Sequence, residues 1–345
     1  MKIKNIAQIK IGKNLFPLRQ FHSTSEPYLN LTDTQLKLIE EFNQKVINGN
    51  IEFESIPCLC GCTIFDLIAS VDRYAMLQTT VLCTKCGLIQ SNPRMTEKEY
   101  FNFYSSDQYR KCYNSDNFLL VFKSKYVPAT GQHIFDEINK LKTVGPSMSV
   151  LEFGAGGGWN LLPFINAGAR VLGVDYSHSL VSLGCEYGIN MLQGSISEIA
   201  GEFDAIILNH NLEHLSNPVE FLKNIIKYLK EDGIIYIAVP NILNFGLGQL
   251  QNAHTYYFDP ENFVYYCYLS GLERITSGSA EKIHMFAIFK PANENDFVNI
   301  ELGNHYKKIC QHLKKMKFKE YTNNILSYLH MAKTARAIYT SLVYR

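Results

Sequence analysis

The sequence lacks the long apolar run that a membrane-spanning helix needs. No uninterrupted apolar stretch in its 345 residues approaches the ~18 residues of such a span. It also lacks an excess of charge, since 33 basic and 32 acidic residues leave a net charge of +1. Bulk electrostatics therefore do not favour a nucleic acid or a membrane surface as partner. The N-terminus has scattered lysines but no apolar core of a signal peptide, so we expect a cytoplasmic protein.

Two phosphate-binding patterns are missing as well. There is no G-x-x-x-x-G-K-[ST] stretch, so a nucleoside triphosphate site of that type is not supported. A dinucleotide-binding G-x-G-x-x-G pattern is incomplete, because Trp159 stands where the third glycine after Gly154 and Gly156 is needed. A dehydrogenase is therefore the least favoured interpretation.

The composition, with 46% hydrophobic and 19% charged residues, is that of a globular protein with room for one large domain and a smaller one. From residue 148 onward, strand and helix patterns alternate. This predicts an α/β fold, a mostly parallel Rossmann-like sheet with helices on both faces. We predict strands near 148–153, 170–175, 190–193, 203–209, 232–239 and 284–290, and helices near 158–167, 177–187, 217–230 and 260–271.

The stretch Val150–Trp159, VLEFGAGGGW, is the most informative part of this pattern. A buried strand runs directly into glycines and then into a helical pattern, the arrangement that brings backbone against a nucleotide-like ligand. Its spacing is E-x-G-x-G-x-G, formed by Glu152, Gly154, Gly156 and Gly158. The next strand ends at Asp175, 21 residues after Gly154, where a carboxylate can accept hydrogen bonds from a ribose diol.

A cysteine cluster precedes this domain. Five of the nine cysteines lie between residues 58 and 86. Cysteine pairs about 20 residues apart are typical of a tetrahedral zinc site. We predict Cys58, Cys60, Cys83 and Cys86 as ligands, with Cys62 as the alternative to Cys60. Four thiolates leave no open position, so the zinc would be structural.

Histidines follow the buried strand Ala205–Leu208, at the edge where ligands bind to sheets of this kind. Histidine is suited to general-base catalysis near neutral pH. Tyr74, in a short loop between the cysteine pairs, could orient an acceptor or simply pack a small zinc module, and the loop at His254 could likewise be functional or structural. The candidate catalytic residues are His210, His214 and His254 as bases, with Tyr74 or Glu213 orienting the acceptor.

Several blocks together resemble class I S-adenosylmethionine (SAM)-dependent methyltransferases. They are VLEFGAGGGWN, GVDYS, FDAIILNHNLEHLSNP, LKEDGIIYIAVPN and NAHTYYFDPENF, in that order. The upstream CLCGC…DRY…CTKCGL…NPR looks like the zinc-binding N-terminal domain of a branch associated with bacterial polysaccharide and deoxysugar biosynthesis.

The resemblance implies a role for individual positions. Glu152 would approach the methionine end of SAM, and Asp175 would hold the ribose hydroxyls. The backbone of the glycine turn would lie against the cofactor. The remaining implied contacts are Gly194 and Ser195 beside the adenine, and Asn209 and His210 flanking the methyl group.

One departure from the family concerns the acceptor. Related sugar C-methyltransferases carry a Tyr-x-Glu-His stretch, whereas this chain has Gln251-Asn252-Ala253-His254, which keeps only the histidine. The methylated atom therefore stays open between oxygen, nitrogen and carbon. The expected function is methyl transfer from SAM to a small molecule, a nucleotide-linked sugar or polysaccharide precursor. The alternatives are an RNA or DNA methyltransferase that binds through the zinc module, and a non-catalytic, zinc-stabilised interaction protein.

The same patterns predict the domain organisation, while the oligomeric state is left open. Residues 1–30 are polar and aperiodic and are expected to form a loosely held arm. The tail from about residue 303 is expected to be helical, with its lysines mostly on the solvated side. The expected segments are 1–50 (arm and helix), 51–115 (zinc-binding and substrate module), 116–145 (linker helix), 146–292 (SAM methyltransferase domain) and 293–345 (C-terminal helical segment).

Overall fold

The computed structural model describes residues 2–5, 8–106, 112, 127–244, 247–280, 283–292, 302–319 and 322. The first part of the predicted linker, before residue 127, and most of the predicted C-terminal segment lie outside these residues. No helix in the described part of the chain is long and apolar enough to cross a membrane.

Within its described residues, the N-terminal third forms two small sheets and two α-helices. Helix α1 (Asp33–Ile47) begins at a capping box in which Thr32 and Gln35 bond each other's backbone N–H groups, and helix α2 is Glu97–Ser105. The strands are β1 (Lys2–Asn5), β2 (Lys10–Asn14), β3 (Glu52–Ser55), β4 (Ile64–Val71), β5 (Leu77–Cys83), β6 (Ile89–Ser91) and β7 (Arg94–Met95). One sheet has the order β1-β3-β7, and the other contains β2, β4, β5 and β6.

The expectation of a loose arm over residues 1–30 is wrong for the described part. Strand β2 pairs in parallel with β4, and Phe16 and Phe21 are buried against Ile68 and Leu82. This pairing joins residues more than fifty positions apart. No local hydrophobic periodicity predicts this pairing, because Phe16 and Phe21 are not part of a regular apolar pattern.

The C-terminal part is organised around a seven-stranded sheet. Its strands are β8 (Ser149–Phe153), β9 (Arg170–Asp175), β10 (Met191–Gln193), β11 (Phe203–Asn209), β12 (Leu229–Pro240), β14 (Leu272–Ala280) and β15 (His284–Pro291), and β13 (Tyr256–Tyr257) lies elsewhere. The order is β10-β9-β8-β11-β12-β15-β14, and only β15 runs antiparallel to both of its neighbours. The predicted Rossmann-like α/β fold is confirmed.

Helices cover both faces of this sheet. Because neighbouring residues of a strand point to opposite sides, each strand packs against helices on both faces. Val150 packs on one face with residues of helices α3 and α4, and Leu151 packs on the other face with residues of α6 and α7. The helices are α3 (Val127–Asn139), α4 (Leu162–Asn166), α5 (His178–Glu186), α6 (Pro218–Ile225), α7 (Pro260–Leu269) and α8 (305–319).

Two predicted boundaries differ from the structure. The helix predicted over 217–230 ends as α6 at Ile225, followed by a short 3-10 turn, and β12 already begins at Leu229. Phe203 pairs with Leu229 whereas Ala205 pairs with Ile234, so the polar residues 230–233 bulge out of the strand. Strand β14 was not predicted. It is an edge strand, and only its two end residues are buried. Its sequence therefore lacks the alternation of apolar and polar residues that would predict a strand.

The two parts of the chain are joined by backbone pairing as well as by side chains. Strand β13, from the C-terminal part, pairs with β6 and completes the second N-terminal sheet, whose order is β13-β6-β5-β4-β2. The backbone N–H of Asn252 donates to the buried carboxylate of Asp72 at 2.8 Å. The loop that carries His254 is therefore held by the N-terminal part.

Helix α8 packs onto this joint structure through Ile309 and Leu313, as its spacing predicts. Its first residue, His305, is 3% exposed. Its Nε2 lies 2.9 Å from Asp259 Oδ2 and its Nδ1 lies 2.8 Å from Glu261 Oε2. Burial alone would lower the pKa of His305, but these two carboxylates raise it above the ordinary value.

We predict that His305→Ala lowers the free energy of unfolding by about 3 kcal/mol, because it removes the imidazole that pairs with the buried carboxylate of Asp259. The difference from wild type should depend on pH. Stabilisation by the charged imidazole is complete below the ordinary pKa of about 6.5 and is lost as the pH rises through the raised value in the folded protein.

Urea unfolding of both proteins between acidic and alkaline pH tests this prediction. Lys307→Ala, on the exposed side of the same helix, is the matched control and should unfold like wild type. A His305→Ala effect that grows with rising pH would contradict the assigned interaction.

Candidate active site and cysteine cluster

The order of the central sheet places a crevice between β8 and β11. From β8 the chain proceeds outward to β9 and β10, whereas from β11 it proceeds to β12 in the opposite direction. In sheets of this kind, ligands bind at the carboxyl ends of the strands where the order reverses. The glycine turn follows β8 at this point, and residues 209–214 follow β11.

The glycine turn requires glycine at Gly154. Its φ angle is +73°, and a Cβ atom there would lie 2.4 Å from Nδ2 of Asn211. Gly156 and Gly158 also have positive φ angles, and the N–H of Gly156 donates to Asp175 Oδ2 at 2.8 Å. The turn is therefore bound to the end of β9 and lies against the segment that follows β11.

At the end of β9, each carboxylate oxygen of Asp175 accepts a hydrogen bond from a backbone N–H. Oδ1 accepts the N–H of Ser177 at 2.8 Å, and the carbonyl of Asp175 accepts the N–H of Gly194 at 3.1 Å. Ser195 comes next and caps a short 3-10 helix through a reciprocal bond with Glu198. The structure thus places Gly194 and Ser195 beside Asp175, with a local capping role for Ser195.

Glu152 lies on β8, just before the glycine turn, and is 1% exposed. Oε1 accepts a hydrogen bond from Asn160 Nδ2 at 2.7 Å, whereas Oε2 is buried without a partner in the described part of the chain. Burial raises the pKa of Glu152 to about 8, although the bond from Asn160 opposes the rise. The carboxyl group is therefore mostly protonated at neutral pH.

The segment after β11 begins with backbone strain. His210, directly after Asn209 at the end of the strand, has a φ angle of +53°, which is uncommon for a residue with a side chain. Its Nδ1 lies 3.4 Å from Glu213 Oε1, and its ring centroid is 4.2 Å from that of His284. Burial alone would raise the pKa of Glu213, but His210 and His214 lower it below the ordinary value.

His214 and His254 lie together although forty residues separate them. Their ring centroids are 4.8 Å apart. The backbone N–H and the hydroxyl of Thr255 both donate to the carbonyl of Glu213, at 2.8 and 2.9 Å, which fixes the two segments side by side. Nδ1 of His214 lies 2.8 Å from the carbonyl of Ala253.

The carbonyl of Ala253 determines the tautomer of His214. A carbonyl oxygen can only accept, so Nδ1 carries a proton and donates it, and neutral His214 keeps its lone pair on Nε2. The hydroxyl of Tyr104 donates to the same carbonyl at 2.7 Å and lies 3.0 Å from Nδ1.

The N-terminal part supplies the other wall of the site. Arg73 donates from Nη2 to the hydroxyl of Tyr74 at 3.1 Å and to Oε1 of Gln251 at 2.9 Å. The amide nitrogen of Gln251 contacts Nε2 of His254. Burial, followed by the neighbouring His214 and Arg73, lowers the pKa of His254 well below its ordinary value, so this imidazole is neutral.

The structure therefore brings the predicted histidines, Glu213 and Tyr74 into one connected region beside the glycine turn. Sequence reasoning assigned no specific role to several contributors, most of which act through contacts between distant segments. They are Arg73, Tyr104, Asn160, Asn211, Gln251 and His284.

The four predicted cysteine ligands also lie together. The Sγ atoms of Cys58 and Cys86 are 3.5 Å apart, those of Cys60 and Cys83 are 3.6 Å apart, and all four lie within 4.8 Å of one another. Thiolates around a tetrahedral zinc ion are about 3.8 Å apart, so this donor set fits zinc. Cys62 instead contacts the backbone of Ile64 and is not part of the group.

A contact from the central domain reaches this cluster. The hydroxyl of Tyr266, on α7, donates to Sγ of Cys86 at 3.2 Å. Hydrogen bonds of this kind to ligand atoms orient metal sites. The cysteine cluster is therefore built against the domain that carries the glycine turn.

Comparison with known proteins agrees with this geometry. The profile of a family described as "Methyltransferase domain" matches residues 126–276, which include the glycine turn and the segment after β11. Residues 126–276 of this chain therefore match a methyltransferase domain.

Several curated proteins that match this domain carry the name "Ubiquinone biosynthesis O-methyltransferase". The protein from Rickettsia akari is 28% identical over 27% of this chain and 41% of its own length, and that from Rickettsia canadensis is 26% identical over 33% and 52%. The chain thus spans about half or less of the length of these relatives.

Solved structures similar to the methyltransferase domain share little sequence with it. A Burkholderia thailandensis 1,6-didemethyltoxoflavin-N1-methyltransferase, solved with S-adenosylhomocysteine, has a TM-score of 0.46 and 17% identity, and the match covers 63% of this chain and 96% of that one. The PH0226 protein from Pyrococcus horikoshii has a TM-score of 0.41 and 16% identity, with coverages of 49% and 92%.

We predict that Cys60→Ser strongly reduces the zinc content of the purified protein, whereas the neighbouring Cys62→Ser leaves it unchanged. The reason is that only Cys60 lies among the other three thiols. Metal analysis by mass spectrometry after dialysis should give about one zinc ion per chain for wild type and for Cys62→Ser. Equal loss of zinc in both variants would contradict the assigned ligands.

Proposed function

We propose that this protein transfers a methyl group from SAM to a small-molecule acceptor bound between the methyltransferase domain and the N-terminal part. The observation that carries the proposal is the contact between the two halves of the crevice. Asn211, from the histidine-bearing segment, packs directly against Gly154 of the glycine turn. A methyl donor on the turn and an acceptor among the histidines would therefore be neighbours.

The proposed donor site uses the residues around the switch point. Bound SAM supplies an electrophilic methyl group on a positively charged sulfur. Asp175 would accept the ribose hydroxyls, Glu152 would face the methionine end, and the backbone at Gly154, Gly156 and Gly158 would lie along the cofactor. Ser195 would border the adenine, and Asn209 would stand beside the methyl group.

The proposed acceptor site works mainly by orientation. Holding two reactants in line and excluding water can supply ~7–11 kcal/mol of a barrier. His214 has its Nδ1 proton fixed on the carbonyl of Ala253, so its Nε2 lone pair can accept a proton from an acceptor hydroxyl. His210 and His254 are further candidates for this base, and Tyr74 and Glu213 would orient the acceptor.

The cysteine cluster would hold structural zinc through Cys58, Cys60, Cys83 and Cys86. Because reduced thiols are typical of the cytoplasm, we infer a cytoplasmic location. We retain the sequence-based segments as proposals, with residues 51–115 as the zinc-binding and substrate module and 146–292 as the methyltransferase domain. The N-terminal part would then contribute Tyr74 and Arg73 to acceptor binding.

Two acceptor classes are supported by different observations. The wall formed by Arg73, Tyr74, Tyr104 and Gln251 is rich in hydrogen-bonding groups, which favours a sugar or polysaccharide precursor with many hydroxyls. The name of the curated relatives favours O-methylation in ubiquinone biosynthesis instead. We propose the sugar-related acceptor first, and a nucleic acid is not expected.

We predict that Glu152 loses its proton when SAM binds. Its carboxyl group, with a pKa of about 8, is mostly protonated at pH 7, and a nearby positive charge favours the ionised form. Calorimetry at pH 7 in buffers of different ionisation enthalpy should show net proton release when SAM binds. Glu152→Gln is isosteric and should release none, and a buffer-independent enthalpy in wild type would refute this contact.

The activity itself is tested with SAM labelled on its methyl group. The zinc-loaded protein is offered nucleotide-linked sugars, demethylated ubiquinone precursors and total RNA in separate reactions. Label in the sugar pool is the expected result, label in the quinone pool would support the second acceptor class, and label in RNA alone would refute a small-molecule acceptor.

We expect His214→Ala to lower kcat about 100-fold or more, because a positioned base contributes roughly 10²–10⁴-fold. Calorimetry should show SAM binding close to wild type, since His214 lies on the acceptor side. His178→Ala, at an exposed imidazole on α5, is the control and should keep full activity. Unchanged kcat in His214→Ala would remove this residue from the mechanism.

A further inference from the structure

The buried carboxylate of Glu213 faces imidazoles but forms no short hydrogen bond among the described residues. Its residue is 1% exposed, and neither side-chain oxygen has a hydrogen-bond partner within the described ranges. Nδ1 of His210 lies 3.4 Å from Oε1, which is longer than a usual hydrogen bond. A carboxylate buried in this way is expected to be paired with a cation or to bind a metal.

Two imidazoles complete a donor set around it. One ligand atom from each of Glu213, His214 and His254 lies within 4.8 Å of the other two. Nδ1 of His254 is buried without a partner in the described residues. The proton of His214 is fixed on Nδ1 by the carbonyl of Ala253, which leaves Nε2 free of a proton. Metal-binding histidines usually donate their second N–H to a carbonyl in this manner.

We propose that Glu213, His214 and His254 bind a divalent transition-metal ion of the zinc type, separate from the cysteine cluster. Two imidazoles and one carboxylate are a ligand set that leaves at least one position open. Ligand bonds of ~2.0–2.2 Å place neighbouring donor atoms about 3–3.5 Å apart, so the three side chains, whose ligand atoms lie within 4.8 Å of one another, would move closer together around the ion.

Binding of this ion requires the side-chain amide of Gln251 to rotate. At present its oxygen accepts from Arg73, so its NH₂ group faces Nε2 of His254, and neutral His254 then carries its proton on Nδ1. Binding through Nδ1 moves that proton to Nε2, and the amide of Gln251 turns so that its oxygen accepts it. Arg73 keeps its hydrogen bonds to Gln249 and Tyr74.

This arrangement predicts an unusual gain of affinity. In Gln251→Glu, a carboxylate can accept from Arg73 and from Nε2–H of His254 at the same time, without turning. A carboxylate behind a metal-binding histidine raises its basicity, and such second partners are worth about 10–100-fold in metal affinity. A purely structural role for His254 gives no reason for such an increase.

The open position of the ion would face the acceptor side of the crevice, where an oxygen of the acceptor could occupy it. With His214 and His254 bound to the ion, His210 would be the base of the proposed mechanism. That consequence rests on the proposed function, whereas metal binding itself does not. The two can fail separately. Metal binding without methyl transfer would refute the proposed function alone, and methyl transfer without metal binding would refute the present inference alone.

The experiment adds one equivalent of zinc, which the four thiolates of the cysteine cluster bind, and then titrates Co²⁺ without SAM. The expected result is a second metal equivalent per chain, with visible absorption bands of cobalt but no intense sulfur-to-cobalt charge-transfer band. Glu213→Gln and His254→Ala should each weaken cobalt binding at least 100-fold, and Gln251→Glu should tighten it about tenfold. His178→Ala should bind cobalt like wild type.

Circular dichroism and retention of the cysteine-bound zinc establish that each variant is folded. No cobalt binding in folded wild type would overturn the proposal. So would cobalt binding of equal strength in wild type, Glu213→Gln and His254→Ala, because the ion would then lie elsewhere. Sulfur-to-cobalt bands would show exchange into the cysteine cluster and would count against a separate site.

Discussion

The candidate site depends on the carboxylate of Asp72, which holds two distant segments in one arrangement. Oδ1 accepts the N–H groups of Tyr74 and Met76, each at 2.9 Å, and Oδ2 accepts that of Asn252 at 2.8 Å. Asp72 is 4% exposed, and burial raises its pKa to about 6 although all three donors oppose the rise. Arg73 joins the same two segments, because its backbone N–H donates to the carbonyl of Leu250 at 2.8 Å and its side chain donates to Gln249 and Gln251.

The crevice concentrates buried ionisable groups whose pKa values are shifted in different ways. Burial raises the pKa of Glu152 and lowers that of His254, whereas the imidazoles around Glu213 lower its pKa despite burial. Such groups are costly for stability and tend to mark sites that bind charged ligands. Here one neutral carboxyl group faces the proposed donor side, and one ionised carboxylate faces the proposed acceptor side.

Much of the candidate donor site could be predicted because its signals are local. Glycines that need positive φ angles leave a direct mark on the sequence, and Asp175 follows at the distance of one helix and one strand. The acceptor side could be predicted only in part. The histidines were found by their position after a buried strand, but Tyr104, Arg73 and Gln251 have no local signature. Each acts through a hydrogen bond to a segment more than a hundred residues away.

The sequence by itself determined the α/β fold, the glycine turn with Asp175 and the cysteines available as metal ligands, because these depend on periodicity and short spacings. Only the tertiary structure decided that Cys60 rather than Cys62 joins the other three thiols. It also decided that residues 10–14 form a strand and that Glu213, His214 and His254 converge. These outcomes depend on long-range pairing, above all the addition of β13 to the N-terminal sheet. The two strands of such a pair lie far apart in the sequence, so no single short stretch contains the residues that stabilise the pairing.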